Sequence, residues 1–209
     1  MKSSKEKYLG RLFLCLVLAE VLLILVSWLI NAAAPELPVH SLLGNEGIRW
    51  LFGHFISNML KPLLVWLVLL CIAYGCLHDS GLWAHLRSWS LHSSPVSYRQ
   101  RLAFQFVLTE LIFFVIILLL LTCVPHAVLL SVTGYLFPGT FAQSIIPILI
   151  FIVVVCSLTY GAISGTMTGF SQACHALGSG FSTLALLFPF YILVIEFYES
   201  VRFVFFHTS

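Results

Sequence analysis

Long apolar runs, separated by short polar connections, dominate this chain of 209 residues. About 20 apolar residues in a row are enough for a helix to span a bilayer. The runs are continuous rather than alternating between apolar and polar positions, which argues against the strands of a membrane barrel. Because a helix satisfies its own backbone hydrogen bonds in lipid, the pattern predicts an all-α, polytopic membrane helical bundle. Five spans are predicted, at approximately Leu12–Ile30, Pro62–Leu77, Leu102–Thr122, Ile145–Tyr160 and Phe181–Phe205.

The connection after the first span has a different pattern. It opens with LLGNEG, whose Gly and Asn residues are typical of a turn. The IRWLFGHFISNML segment that follows places apolar residues at helical spacing beside polar ones. We therefore predict a short amphipathic helix lying in the membrane interface, with Trp50 in the aromatic belt. The alternative is a tilted start of the second span, in which Pro62 marks a kink or a restart.

Composition supports the membrane assignment. Hydrophobic residues make up 60% of the chain and charged residues 9%, whereas soluble domains keep about a quarter of their residues charged. One integral membrane domain covering residues 1–209 is predicted. The basic start and the NAAAP segment resemble a signal peptide, but the apolar run exceeds the roughly 7–15 residues of such a leader. We expect it to remain as the first span.

The charges predict an orientation. Basic residues cluster before the first span and between the second and third, at Lys2, Lys5, Lys7, Arg11, Arg87, Arg99 and Arg101. The opposite side has only Arg49, Lys61 and Arg202. By the positive-inside rule the N-terminus is cytoplasmic. The net charge of +2 thus reflects the membrane topology, and it does not suggest a nucleic-acid partner. The lipid bilayer is the partner that the composition itself predicts.

Three carboxylates fall inside predicted spans: Glu20, Glu110 and Glu196. An acid at membrane depth costs free energy, so each of these acids is a candidate functional residue. These acids could relay protons or anchor a partner subunit. Alternatively, each is a protonated glutamic acid that bonds to a neighbouring helix. On the last span Glu196, Glu199 and Arg202 share one helix face, and we expect Glu199 and Arg202 to form a local pair.

Glycine, histidine and cysteine residues elsewhere in the chain raise the question of close packing or of chemistry. Gly161, Gly165 and Gly169 form overlapping small-xxx-small steps that would let two helices approach closely; the alternative is a Gly-rich helix end and turn. His78 and Asp79 are expected to point apart, so no metal or acid–base site with His85 is predicted. Cys174–His175 is expected to lack any partner acid nearby. The six scattered cysteines predict neither disulfides nor a metal site. No catalytic or cofactor motif is present, so we predict that the protein is not an enzyme and binds no cofactor.

Several segments resemble one transporter family. SLLGNEGIRWLFGHFISNMLKPLL, residues 41–64, and GCLHDSGL, residues 75–82, are similar to the start of the p-aminobenzoyl-glutamate transporter (AbgT) family. GYLFPGTFAQSIIPILIF, residues 134–151, and TYGAISGT, residues 159–166, are similar to a later part. The resemblance implies a bacterial inner-membrane protein that moves small organic anions similar to p-aminobenzoyl-glutamate.

The chain also departs from that family. The hairpin segment expected between Leu82 and Tyr98 is replaced by a short basic connection, and the C-terminal half is missing, so we expect a shortened member. Five spans are too few to form two repeats that move relative to each other around a shared substrate site. Transport would then require a homo-oligomer or a membrane-protein partner. The alternative is a non-transporting accessory or scaffold subunit of a membrane complex.

Overall fold

The computed structural model describes residues 2–91, 97–123 and 140–206. Over these ranges the protein is all-α, with eight helices and no strand. The helices are α1 (Lys2–Ala33), α2 (Asn45–Met59), α3 (Pro62–Asp79), α4 (Leu82–Leu91), α5 (Tyr98–Cys123), α6 (Thr140–Ser164), α7 (Phe170–Leu184) and α8 (Leu187–Phe206). Four of them are long and apolar enough to cross a membrane, or five spans result if α7 and α8 count as one broken span. The predicted all-α membrane fold is confirmed.

The first four predicted spans lie within α1, α3, α5 and α6. The fifth, predicted as one helix over residues 181–205, is wrong in its first part. There α7 ends at Leu184 and α8 begins at Leu187. Pro189 supplies the reason, because proline has no N–H to donate to the Ala185 carbonyl and its ring clashes with that carbonyl in a continuous helix.

Two helices were not predicted. The basic connection expected to be a loop contains α4, which follows Gly81 at φ +78°. The Leu82 N–H donates to the Ser80 hydroxyl at 3.2 Å. Helix α7 was missed because its polar and small residues interrupt the apolar pattern. Residues 134–139, which carry part of the family resemblance, lie outside the described ranges.

The chain divides into two compact units. Unit 1 comprises residues 1–64 and 185–209, and therefore contains α1, α2 and α8. Its core is formed by Leu42, Phe203 and Val204, and the Trp50 ring of α2 stacks on Phe203 of α8 at 4.4 Å between centroids. The Tyr191 hydroxyl donates to the Met59 carbonyl at 2.7 Å, which satisfies a backbone acceptor at the end of α2.

The turn before α2 explains one glycine in the LLGNEG segment. The Leu42 N–H donates to the Ser27 hydroxyl of α1 at 3.3 Å. This places the Ser41–Leu42 backbone directly over Gly47, where an added Cβ would lie 2.6 Å from the Leu42 carbonyl oxygen. Gly47 is therefore required by packing. Pro62 is the first residue of α3, a position that suits proline. A new helix therefore starts at Pro62, and Pro62 does not kink a continuous one.

We expect Gly47→Ala to destabilise the protein by about 1–3 kcal/mol, because the new methyl group meets backbone atoms that cannot rotate away. Gly53→Ala on the same helix is the matched control. A Cβ there meets nothing within 4 Å. The only expected effect of Gly53→Ala is therefore a gain in stability of about 1 kcal/mol from the higher helix propensity of alanine. Thermal unfolding in detergent should give a lower midpoint for Gly47→Ala and an equal or higher one for Gly53→Ala. Equal midpoints for the two variants would contradict this explanation.

Unit 2 comprises residues 65–184 and contains most of α3 together with α4 to α7. Helices α5 and α6 pack on each other through a core that includes Ala103, Val107, Ile152, Cys156 and Tyr160. Helix α3 packs on α7 where Gly75 meets Ala176 and Gly180. A Cβ on Gly75 would lie 2.6 Å from the Gly180 nitrogen. The two helix backbones are thus nearly in contact, as small residues permit.

Candidate intramembrane carboxylate site

Glu20 of α1 and the acids of α8 meet inside unit 1. Glu20 is partly buried, and its Oε1 accepts a hydrogen bond of 2.8 Å from the Ser200 hydroxyl of α8. Its Oε2 is buried and has no hydrogen-bond partner among the described residues. The contact therefore links the first and last helices of the chain through a carboxyl group with one free oxygen.

Glu196 of α8 is the second acid of this site. It is close enough to Glu20 and Glu199 for their charges to interact, and it faces the Asn58 side chain of α2. Both Glu196 carboxyl oxygens and the Asn58 Nδ2 atom are buried, and within the described chain none of these atoms has a hydrogen-bond partner. Asn58 is only 6% exposed. Unsatisfied buried polar atoms are costly, and in native proteins they call for a bound proton, water or ion.

Glu199 is the acid that the two basic side chains of this site contact. It is 6% exposed; Lys61 Nζ lies 2.9 Å from its Oε1 and Arg202 Nη1 lies 3.7 Å from its Oε2. The predicted Glu199–Arg202 pair is confirmed, but Lys61 is the nearer and less exposed partner. The pairing of Lys61 with Glu199 was not predicted from the sequence. The one available signal was that Lys61 and Arg202 are predicted to lie on the same side of the membrane.

The site thus combines three carboxyl groups with two cations. Both cations contact Glu199, and within the described part of the chain neither forms an ion pair with Glu20 or Glu196. Neighbouring carboxylates in a poorly solvated place repel each other, and a shared proton removes the repulsion. Chemically, the arrangement suits reversible proton binding where Glu20 and Glu196 interact, while Glu199 pairs with Lys61.

Glu110 belongs to unit 2 and is not part of this site. Its Oε1 accepts a hydrogen bond of 3.3 Å from the Thr159 hydroxyl of α6. Its Oε2 is buried without a partner among the residues that the structure describes. This geometry matches the expectation of a carboxyl group bonded to a neighbouring helix.

The predicted glycine ridge is not continuous. Helix α6 ends at Ser164, and Gly165 has a φ of +82°, a conformation typical of the residue after a helix. Gly161 packs against Met167 of the following turn, while a Cβ on Gly169 would meet nothing within 4 Å. The glycine-rich helix end and turn, the alternative interpretation, describes this segment. The close helix approach is at Gly75 and Gly180 instead, where Cys71-xxx-Gly75 and Ala176-xxx-Gly180 carried the same type of signal.

Two of the expectations for the histidines are wrong. His78 Nδ1 lies 3.4 Å from Asp79 Oδ1, so the two side chains do not point apart, and Asp79 Oδ2 lies 3.5 Å from His175 Nδ1. His175 therefore does have a partner acid. His85 packs against the Phe104 and Tyr160 rings, and burial lowers its pKa. Across the described ranges, no group of three potential ligands is arranged to hold a metal ion.

The fold and the position of these acids define a multi-pass membrane protein with a carboxylate site in one of its two units. Comparisons with protein-family models, with curated proteins and with solved structures found no match.

Proposed function

We propose that this protein is a subunit of a proton-linked carrier for small organic anions. The observation that supports the proposal is the Glu20–Glu196–Glu199 site, where acids from α1 and α8 meet around unsatisfied oxygens. Acids of this kind in membrane helices are characteristic of proton relays in transporters. The resemblance to the AbgT family supplies the substrate class, and p-aminobenzoyl-glutamate is the compound to test first.

The proposal assigns different roles to the three acids. Glu20 and Glu196 share the transported proton, and Ser200 holds Glu20 in position. Glu199 stays paired with Lys61, which limits the negative charge near the proton site. Loss of the proton leaves two neighbouring carboxylates, and their repulsion provides a driving force for movement of α1 against α8.

The carrier would act as an oligomer. The described residues contain four to five candidate spans, which are few for a fold in which two repeats move about a central substrate. Several copies of this chain would supply the remaining elements, so the purified protein alone should be competent for transport. We place it in the bacterial inner membrane with its N-terminus in the cytoplasm, as its basic segments favour.

Reconstituted protein tests the proposal directly. In proteoliposomes with a pH gradient, wild-type protein should accumulate p-aminobenzoyl-glutamate and move protons, detected by a trapped pH dye. Glu20→Gln and Glu196→Gln, which cannot exchange a proton, should each lower coupled uptake at least about tenfold, the lower part of the range for losing a proton-transfer group. Glu110→Gln is the matched control and should stay within about twofold of wild type, because Glu110 lies in the other unit. Absence of substrate movement by the wild type, or full coupling in both variants, would overturn the proposal.

One observation favours a second function, that of an accessory subunit. Helix α7 buries Ala176 and Gly180 but exposes Gln172, His175 and Thr183. Polar side chains on a membrane helix face protein or water rather than lipid. The exposed Cys174 thiol on the same helix allows thiol-specific crosslinking in native membranes followed by mass analysis. A defined heterologous partner would support this function, and only self-crosslinked or uncrosslinked protein would count against it.

A further inference from the structure

The outward face of α2 has an apolar stripe with a polar edge. Ile48, Phe52, Phe55 and Ile56 are exposed large hydrophobic residues on this helix, while its opposite face buries Gly47 and Asn58. In sequence the helix stands between two helices that can cross a membrane, α1 and α3. Such an amphipathic helix buries its apolar stripe in the boundary between lipid headgroups and acyl chains.

A shallow groove runs along the edge of this stripe. It is lined by Asn45, Ile48, Arg49, Phe52 and Gly53 and has a volume of about 630 Å³. Asn45, Arg49 and Gly53 are spaced by four residues and so follow each other along one side of the helix. An added Cβ on Gly53 would meet nothing within 4 Å, so the groove is open at Gly53. Ile48 and Phe52 form its apolar wall.

Arg49 is the charged group of the groove. It is exposed, and it forms no ion pair or hydrogen bond with any residue that the structure describes. The nearest acid in sequence, Glu46, lies 3.7 Å from His40 instead. An unpaired guanidinium beside the Asn45 amide presents several N–H donors in a fork that matches a phosphate group.

We propose that this groove binds the phosphate of a membrane phospholipid. Arg49 and Asn45 would hold the phosphate oxygens, the space above Gly53 would admit the headgroup, and Ile48 and Phe52 would contact the first part of the acyl chains. Charge complementarity and the apolar wall together select a lipid over a soluble anion, because a soluble phosphate would leave the exposed hydrophobic residues in water. The site does not depend on the transport proposal and can exist without it.

Native mass spectrometry of the purified full-length protein tests this proposal. After titration with dioleoylphosphatidylglycerol in detergent, the wild type should retain the lipid, and dioleoylglycerol, which has the same chains but no phosphate, should not be retained. Arg49→Gln should weaken retention about tenfold, as expected for loss of a charge-assisted hydrogen-bonded contact. Arg49→Lys should weaken it less. The matched control is Arg87→Gln, which removes another exposed arginine, from α4, and should leave lipid retention unchanged.

Gly53→Leu provides an independent variant that keeps every charge. A Cβ at this position meets nothing within 4 Å, and the rest of the leucine side chain would occupy the open end of the groove. Lipid retention should therefore fall while the unfolding midpoint stays at or above that of the wild type. Equal retention by wild type and Arg49→Gln would overturn the proposal. Tight binding of soluble glycerol phosphate, with no further gain from acyl chains, would also overturn it, since the site would then be one for a soluble anion.

Discussion

Gly180→Leu should prevent unit 2 from packing correctly. A Cβ at this position would collide with the Cys71 carbonyl and lie 2.9 Å from the Gly75 nitrogen of α3. Both obstacles are backbone atoms, so no side-chain rotation relieves the collision and the helices must separate. Overpacking commonly costs about 1–3 kcal/mol when side chains can adjust, and we expect the upper end of that range or more. At about 2–4 °C per kcal/mol for a chain of this size, the unfolding midpoint should fall by roughly 6 °C or further.

Gly178→Leu is the control for this prediction. It makes the same change two residues earlier on α7, where an added Cβ meets nothing within 4 Å. Both variants should be measured by size-exclusion chromatography after heating in the same detergent. We expect Gly178→Leu to elute as the wild type does and Gly180→Leu to aggregate at lower temperature. If the two variants melt together, the close approach of α3 and α7 does not exist.

Lys61→Met should produce the second large effect, in unit 1. It removes the nearer cation from Glu199, a carboxylate that is 6% exposed. Breaking a buried ion pair by deleting one partner typically costs about 3–5 kcal/mol, because a charge is left buried without compensation. The Lys61 side chain is 34% exposed, so we expect the lower end, about 3 kcal/mol. Denaturation in mixed micelles, followed by tryptophan fluorescence, measures this loss.

Two further variants separate the ion pair from other effects of the Lys61 substitution. Arg202→Met removes the other cation that contacts Glu199, but that side chain is 62% exposed and lies 3.7 Å away, so its loss should cost less than about 1 kcal/mol. Adding Glu199→Gln to Lys61→Met should restore much of the stability, because no uncompensated charge remains. An additive loss in the double variant would show that Lys61 stabilises the protein through something other than Glu199.

Hydropathy was sufficient to locate four of the candidate membrane helices. The apolar runs that became α1, α3, α5 and α6 are long and continuous, so bilayer thickness alone determines their number and approximate ends. The same reasoning failed at α7, whose Ser, Gln, Cys, His and Gly residues are neither a continuous apolar run nor a recognised turn. It also joined the end of α7 to α8, because hydropathy does not register the missing N–H of Pro189.

The candidate site was only partly predictable for a different reason. The cost of an acid in lipid singled out Glu20 and Glu196 from composition. Their neighbours depend on contacts across the chain: Ser200 is 180 positions from Glu20, and no local pattern encodes such a distance. The glycines show the same limit, because a small-xxx-small pattern states that a helix can be approached closely but not which helix will do so.

The hydrogen bond between Glu20 and Ser200 has a consequence for biosynthesis. The acid of the first helix enters the lipid long before its hydroxyl donor leaves the ribosome, since nearly the whole chain separates them. Residues 65–184 can assemble in the meantime, whereas unit 1, which contains α1, α2 and α8, must wait for α8. During that interval the carboxyl group needs a temporary partner, such as the insertion machinery, water or a proton, to remain at membrane depth.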